Sequence, residues 1–121
     1  MAAPQRHELP QCPKCKSNLL RPGVVWFGEQ LPWAVLQNVA DFIDAGDIDL
    51  IMVIGTSAKV FPAAGYIAEA RDKGTRVCVV NTDRNDSPPG GWNEGDWLFL
   101  GDAAILVPRL LEPIVGEVKG T

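Results

Sequence analysis

The sequence has 121 residues, of which 46% are apolar and 21% charged, with 12 glycines and 10 prolines. That length suits one domain against a prior of about 150 residues each, and the composition excludes a wholly disordered chain while promising many turns. With 11 basic and 15 acidic residues the net charge is −4, so a sequence-independent electrostatic grip on nucleic acid or on an anionic membrane is not expected.

The first 23 residues are irregular, with prolines at 4, 10, 13 and 22 and the cluster Cys12-Pro13-Lys14-Cys15. Val24-Val25-Trp26-Phe27 reads as a short strand of β-branched and aromatic residues, stopped by Gly28. Pro32 suits the first turn of a helix, and Trp33, Leu36, Val39 with Ala40, and Ile43 recur at helical spacing until Gly46. Asp49 to Gly55 is a continuous apolar run without alternation, the pattern of a strand covered on both faces in a parallel sheet. A second helix opens at Pro62, with Ala64, Ile67, Ala68 and Arg71 on successive turns and Gly74 as its stop. Arg76 to Val80 is another buried-type strand, which completes a βαβ unit. Asn81 to Gly95 is a loop, Trp97 to Leu100 a third strand, and Asp102 the N-cap of a last helix. Ile105, Leu106 and Leu110 form that helix's apolar face, and Pro108 kinks or restarts it.

Three cysteines without an apolar leader segment argue against a disulfide framework and for a reducing, intracellular compartment. Cys12 and Cys15 have the spacing of a knuckle that offers two thiolates to Zn²⁺, although structural zinc takes four ligands. A redox dithiol and two inert thiols are the other readings. Gly55-Thr56-Ser57 lies at the carboxyl end of a strand, where ligands bind in open α/β sheets. Glycine admits a close approach there, and the two hydroxyls can donate to phosphate or ribose oxygens. A strand-end turn explains the same residues. Asn81-Thr82-Asp83 ends the neighbouring strand, where a carboxylate can accept ribose hydroxyls, or where a polar turn simply forms. Val24 to Glu29 could pair with an extended peptide by strand addition, or Trp26 and Phe27 could be core. His7 is the only histidine and sits in a segment with nothing to hold it rigid, so no catalytic engine is evident.

Together these motifs resemble the sirtuins, the NAD-dependent protein-lysine deacylases. The resemblance is carried by Cys12-x-x-Cys15, Leu20-Arg21-Pro22-Gly23-Val24-Val25-Trp26-Phe27-Gly28-Glu29, Gly55-Thr56-Ser57 through Ala64, Asn81-Thr82-Asp83 and Gly101-Asp102. It runs from about Leu9 to Val115, and Trp26 resembles the sirtuin-5 and bacterial deacylase branch. The fold it implies is α/β: the carboxyl-terminal part of a Rossmann-like parallel sheet with flanking helices (24–115), plus half of a zinc knuckle (9–23). It implies NAD contacts from Gly55, Thr56, Ser57, Asn81, Thr82, Asp83 and Ala103, the last standing where the family usually has cysteine. Phe27, Gly28 and Glu29 would line one side of an acylated-lysine peptide, with Val60 and Phe61 on the other. Cys12 and Cys15 would be the second cysteine pair of the structural zinc.

In the family the acyl oxygen attacks the ribose carbon as nicotinamide leaves, and a histidine acts as base. The family's Gly-Ala-Gly loop, Gln-Asn-Ile-Asp segment, His-Gly base and first zinc cysteines have no match in this sequence. The expectation is therefore part of a deacylase domain, inactive by itself, with an apolar sheet edge exposed. The other readings are a non-catalytic nucleotide- or peptide-binding module and a small zinc-knuckle interaction protein.

Overall fold

The computed structural model describes residues 2–119. The chain divides into two compact units, Met1–Leu36 and Gln37–Thr121, and the boundary falls within the first helix.

The amino-terminal unit is held by local hydrogen bonds. A 3-10 turn at Arg6–Glu8 is closed by the Glu8 carboxylate, which accepts the Gln5 N–H at 2.6 Å. Gln11 and Leu19 form an antiparallel bridge around the Cys12–Cys15 knuckle. The Cys12 N–H donates to Asn18 O at 2.8 Å, the Lys16 N–H to Cys12 O at 2.9 Å and the Leu20 N–H to Pro10 O at 2.9 Å. Residues 24–27 are not a strand. They form an exposed strap closed by a turn, in which the Glu29 N–H donates to Trp26 O at 3.0 Å and Gly28 has φ +85°. Among the described residues no strand pairs with them to complete a ladder, so β propensity alone does not make one. Nor are the aromatics core: Phe27 is 91% exposed and Trp26 is exposed as well.

Helix α1 spans Trp33–Asp44 and ends at Gly46, whose φ of +79° a residue with a Cβ would adopt at a cost. Of its predicted apolar face only Ile43 is buried, and Trp33 is 75% exposed. Strands β1 (Leu50–Ile54), β2 (Arg76–Asn81) and β3 (Trp97–Leu100) form a parallel sheet in the order β1-β2-β3. Ile51 pairs with Val77 and Val53 with Val79, while Val79 also pairs with Leu98. Helix α2 (Gly65–Asp72) connects β1 to β2 and starts three residues after Pro62, beyond a turn; Ala70 rather than Ala68 is buried on it. Val53, Ile67, Val77 and Val79 form the core, with Ile51, Ala58 and Leu98 packed against it. Full burial of a valine or isoleucine such as Val77 or Ile67 contributes about 1.5–3 kcal/mol.

The middle strand is covered on both faces, with Val77, Cys78, Val79 and Val80 all buried. Strand β1 is not. It lies at the sheet edge with Leu50 42% and Ile54 40% exposed, which corrects the two-sided burial expected from its apolar run and supplies the expected open apolar edge.

Helix α3 (Ala103–Val115) runs without a break through Pro108 and Pro113. Leu106 and Leu110 are half-buried, whereas Ile105 is exposed. The loop between β2 and β3 is fastened by a buried ion pair. Arg71 on α2 donates to Asp96 at 2.6 Å, and Asp96 also accepts the N–H groups of Val77 at 3.1 Å and Asn93 at 2.8 Å.

Candidate functional site

The carboxyl ends of the strands carry three of the motifs, and backbone bonds tie them together. The Gly55 N–H donates to Val80 O at 2.9 Å and the Gly101 N–H to Asn81 O at 3.0 Å. The Asn81 side-chain amide reaches Thr56 O and Asp86, both at 3.4 Å. Gly55-Thr56-Ser57, Asn81-Thr82-Asp83 and Gly101-Asp102-Ala103 therefore meet along one end of the sheet. Gly55 has φ +65°, and a Cβ there would meet no atom within 4 Å, so its backbone is open to a ligand.

The turns at this end are internally ordered. Thr56 Oγ1 accepts the Ala58 N–H at 3.0 Å, which supports Ala58 in its left-handed conformation. Asn81 Oδ1 accepts the Asp83 N–H at 3.1 Å, and an Asp83 carboxylate oxygen accepts the Asn85 N–H at 2.9 Å. Asp102 caps α3 as expected, accepting the Ala104 N–H at 2.8 Å. Its carboxylate is thus occupied with the helix, and Ala103 stands in the first turn, at the positive end of the helix dipole. Exposed hydroxyls, an open glycine backbone and a helix start form a donor set that fits the phosphate and ribose groups of a dinucleotide.

Val60 and Phe61 are both exposed, just before α2, and the Phe61 ring lies against Gly65, where a Cβ would stand 3.6 Å away. Phe27, Gly28 and Glu29 belong to the amino-terminal unit and are exposed there. Within that strap Glu29 binds Arg21 through both oxygens, at 2.8 and 3.3 Å, and accepts the Trp26 N–H at 3.2 Å. Arg21 and the Trp26 N–H hold the Glu29 carboxyl below its usual range. The sequence reading assigned no role to Arg21 or Asp86; the opposite charges of Arg21 and Glu29 at the two ends of the uncharged segment 22–28 were the available signal for Arg21.

The knuckle acidifies one of its thiols. Backbone N–H groups of Ser17 and then Asn18, helped by the Ser17 side chain and Cys12, lower Cys15 to about 6. Cys12 and Cys15 thus fit half of a tetrahedral thiolate site. Among the described residues no group of three or more His, Cys, Asp or Glu side chains could hold a metal. Cys78 is buried in β2, and burial raises its thiol. His7 sits exposed in the 3-10 turn. No described helix is long and apolar enough to cross a membrane.

Residues 1–62 match the model of the Sir2 family. The chain belongs to the Sir2 family. It is 46% identical over 112 residues to an NAD-dependent protein deacylase of Candida albicans, covering 92% of this chain and 36% of that protein. An NAD-dependent protein deacylase of Ralstonia nicotianae is 49% identical over 103 residues, covering 84% and 39%. A Sir2 homolog–NAD complex superposes with a TM-score of 0.70 at 37% identity, covering 93% of this chain and 41% of that one. A Sir2 enzyme bound to an acetylated peptide gives 0.64 at 25% identity, covering 88% and 42%. This Sir2 chain thus spans about two-fifths of the length of the relatives it matches, and its parallel α/β sheet is the part of the Rossmann-like fold it shares with them.

Proposed function

We propose that this chain supplies the nucleotide-ribose contacts and part of the peptide surface of an NAD-dependent protein-lysine deacylase. The observation that carries the reading is the meeting of three strand ends, at which Gly55, Thr56, Ser57, Asn81, Thr82, Asp83 and Ala103 share one border of the sheet. Relatives named as deacylases, and a Sir2 homolog in complex with NAD, support it. When bound, NAD provides the ribose carbon that accepts the acyl group. Gly55 admits the ligand to the backbone, and Thr56 and Ser57 donate to its oxygens. Asp83 accepts ribose hydroxyls, and the start of α3 offers N–H groups to negative charge.

In the amino-terminal unit Phe27 and Gly28, and in the other unit Val60 and Phe61, are each read as contacts of the acylated-lysine peptide. Trp26 supports a reading of the chain as sirtuin-5-like. Cys12 and Cys15 hold zinc as two of its four ligands, the other pair coming from outside this chain. The residues of this chain supply no catalytic base, because its single histidine lies in the exposed Arg6–Glu8 turn.

The test is titration of ADP-ribose into the isotope-labelled chain, followed residue by residue by NMR. Saturable shifts are expected at 55–57, 81–83 and 103, weakened by Asp83→Ala. No shifts, or shifts confined to other residues, would overturn the assignment. Incubation with NAD and an acetyl-lysine peptide is expected to give no deacylation, and robust turnover would refute the missing base.

A further inference from the structure

We propose that Arg21 is a positioning residue that holds the strap Val24–Glu29 in the shape that presents Phe27, and that the Glu29 carboxylate serves this purpose rather than contacting the peptide. The inference rests on the reading that Phe27 meets the acylated-lysine peptide.

The strap has little else to hold it. Every residue from Arg21 to Gln30 is exposed and none lies in a strand, so neither core packing nor a ladder fixes its course. A single guanidinium instead reaches three separate points along it. Arg21 donates to both Glu29 oxygens at 2.8 and 3.3 Å and to Val24 O at 3.3 Å, and its Cζ lies over the Trp26 ring, 4.5 Å from the ring centre. Glu29 closes the far side by accepting the Trp26 N–H at 3.2 Å while its own N–H donates to Trp26 O at 3.0 Å. Residues 24, 26 and 29 are thereby tied to one side chain, and the tip between them, Phe27-Gly28, projects to solvent.

An isolated surface ion pair contributes little. Here the pair is bidentate, adds a carbonyl, and stacks on an indole, which a planar fork can do at once and an ammonium cannot. With both Glu29 oxygens occupied, the carboxylate has its partners inside the strap. A strap ordered in advance loses less conformational freedom when a peptide lands on it.

The experiment compares the intact chain with Arg21→Ala, Arg21→Lys and Glu29→Gln by NMR. Amide order is measured over residues 24–29, together with the affinity for an acetyl-lysine peptide read at the Phe27 amide. Arg21→Ala and Arg21→Lys are both expected to disorder the strap and weaken the peptide roughly ten-fold, with ADP-ribose binding unchanged. Glu29→Gln should fall between them and the parent. Millimolar free guanidinium should restore order and affinity to Arg21→Ala but not to Arg21→Lys, a rescue that general destabilisation would not show. Retained strap order in Arg21→Ala, or full function in Arg21→Lys, would overturn the inference. If the parent chain binds no peptide at Phe27, the underlying reading fails instead, while strap order still decides the part played by Arg21.

Discussion

Removing the Asp96 carboxylate should strongly destabilise the sheet-bearing unit. The side chains of Arg71 and Asp96 are only 10% and 4% exposed, and their closest contact is 2.6 Å. In Asp96→Ala the guanidinium stays buried without a counter-charge, keeping only a long contact of 3.4 Å to Pro89 O. The N–H groups of Val77 and Asn93 lose their acceptor in the same step. Breaking one partner out of a buried pair costs about 3–5 kcal/mol, against about 5–15 kcal/mol for the whole stability of a domain. Urea unfolding followed by far-UV circular dichroism should therefore show a midpoint shifted by a large fraction of its value, with little change in slope.

The pH dependence has a definite sign. Burial pushes the Asp96 carboxyl up, but the N–H groups of Asn93 and Val77 and the Arg71 charge outweigh it and hold it below the usual range. A carboxyl lowered on folding stabilises above its unfolded value near pH 4 and loses that contribution as pH falls through the folded value. The parent should thus lose stability on acidification below about pH 4, and Asp96→Ala should lose less. An Asp96→Ala protein within about 0.5 kcal/mol of the parent, a shift typical of neutral surface changes, would refute the buried clasp.

Gly101 has φ +151°, and a Cβ would stand 3.0 Å from Leu106 Cδ1. Gly101→Ala should therefore cost about 1–2 kcal/mol in urea and weaken ADP-ribose; unchanged stability would contradict the strain. In metal-free protein at pH 7, iodoacetamide should modify Cys15 first, with a pH midpoint of about 6. Cys78, buried in β2 and raised by that burial, should react only after unfolding, and equal rates would sink the argument. Zinc recovered with the chain should be substoichiometric and removed by chelator, whereas tight one-to-one zinc would show that other residues complete the site.

What could be read from the sequence was what depends on neighbours in the chain. Asp102 caps α3 because its carboxylate reaches an N–H two residues on, and Gly46 ends α1 because its own backbone turns left-handed. The strand ends bearing Gly55, Asn81 and Gly101 were legible through the βαβ order, which brings consecutive parallel strands side by side. Partnerships set by packing were not. Arg71 and Asp96 are separated by 25 residues and meet only once β2 and β3 are in register. The apolar run of β1 reports its affinity for a core and says nothing about which neighbours are there to cover it. Val24 to Phe27 has the side chains of a strand, but a ladder needs a second strand, and a guanidinium holds the segment instead.

These differences separate two ways of building a binding surface. At the strand ends the groups proposed to meet a nucleotide are anchored to the sheet by backbone bonds at Gly55 and Gly101 and ordered by several separate side-chain acceptors, Thr56, Asn81, Asp83 and Asp102, so no single exposed side chain holds them. In the strap, order resides in the side chains of Arg21, Trp26 and Glu29, and one substitution removes it with the fold intact. Nucleotide binding should therefore follow global stability, falling in Asp96→Ala in proportion to unfolded protein. Peptide binding should instead follow the identity of residue 21 in a chain that remains folded. A surface tuned by exposed side chains can change its peptide preference through few substitutions without disturbing the cofactor end, because exposed residues carry little of the core.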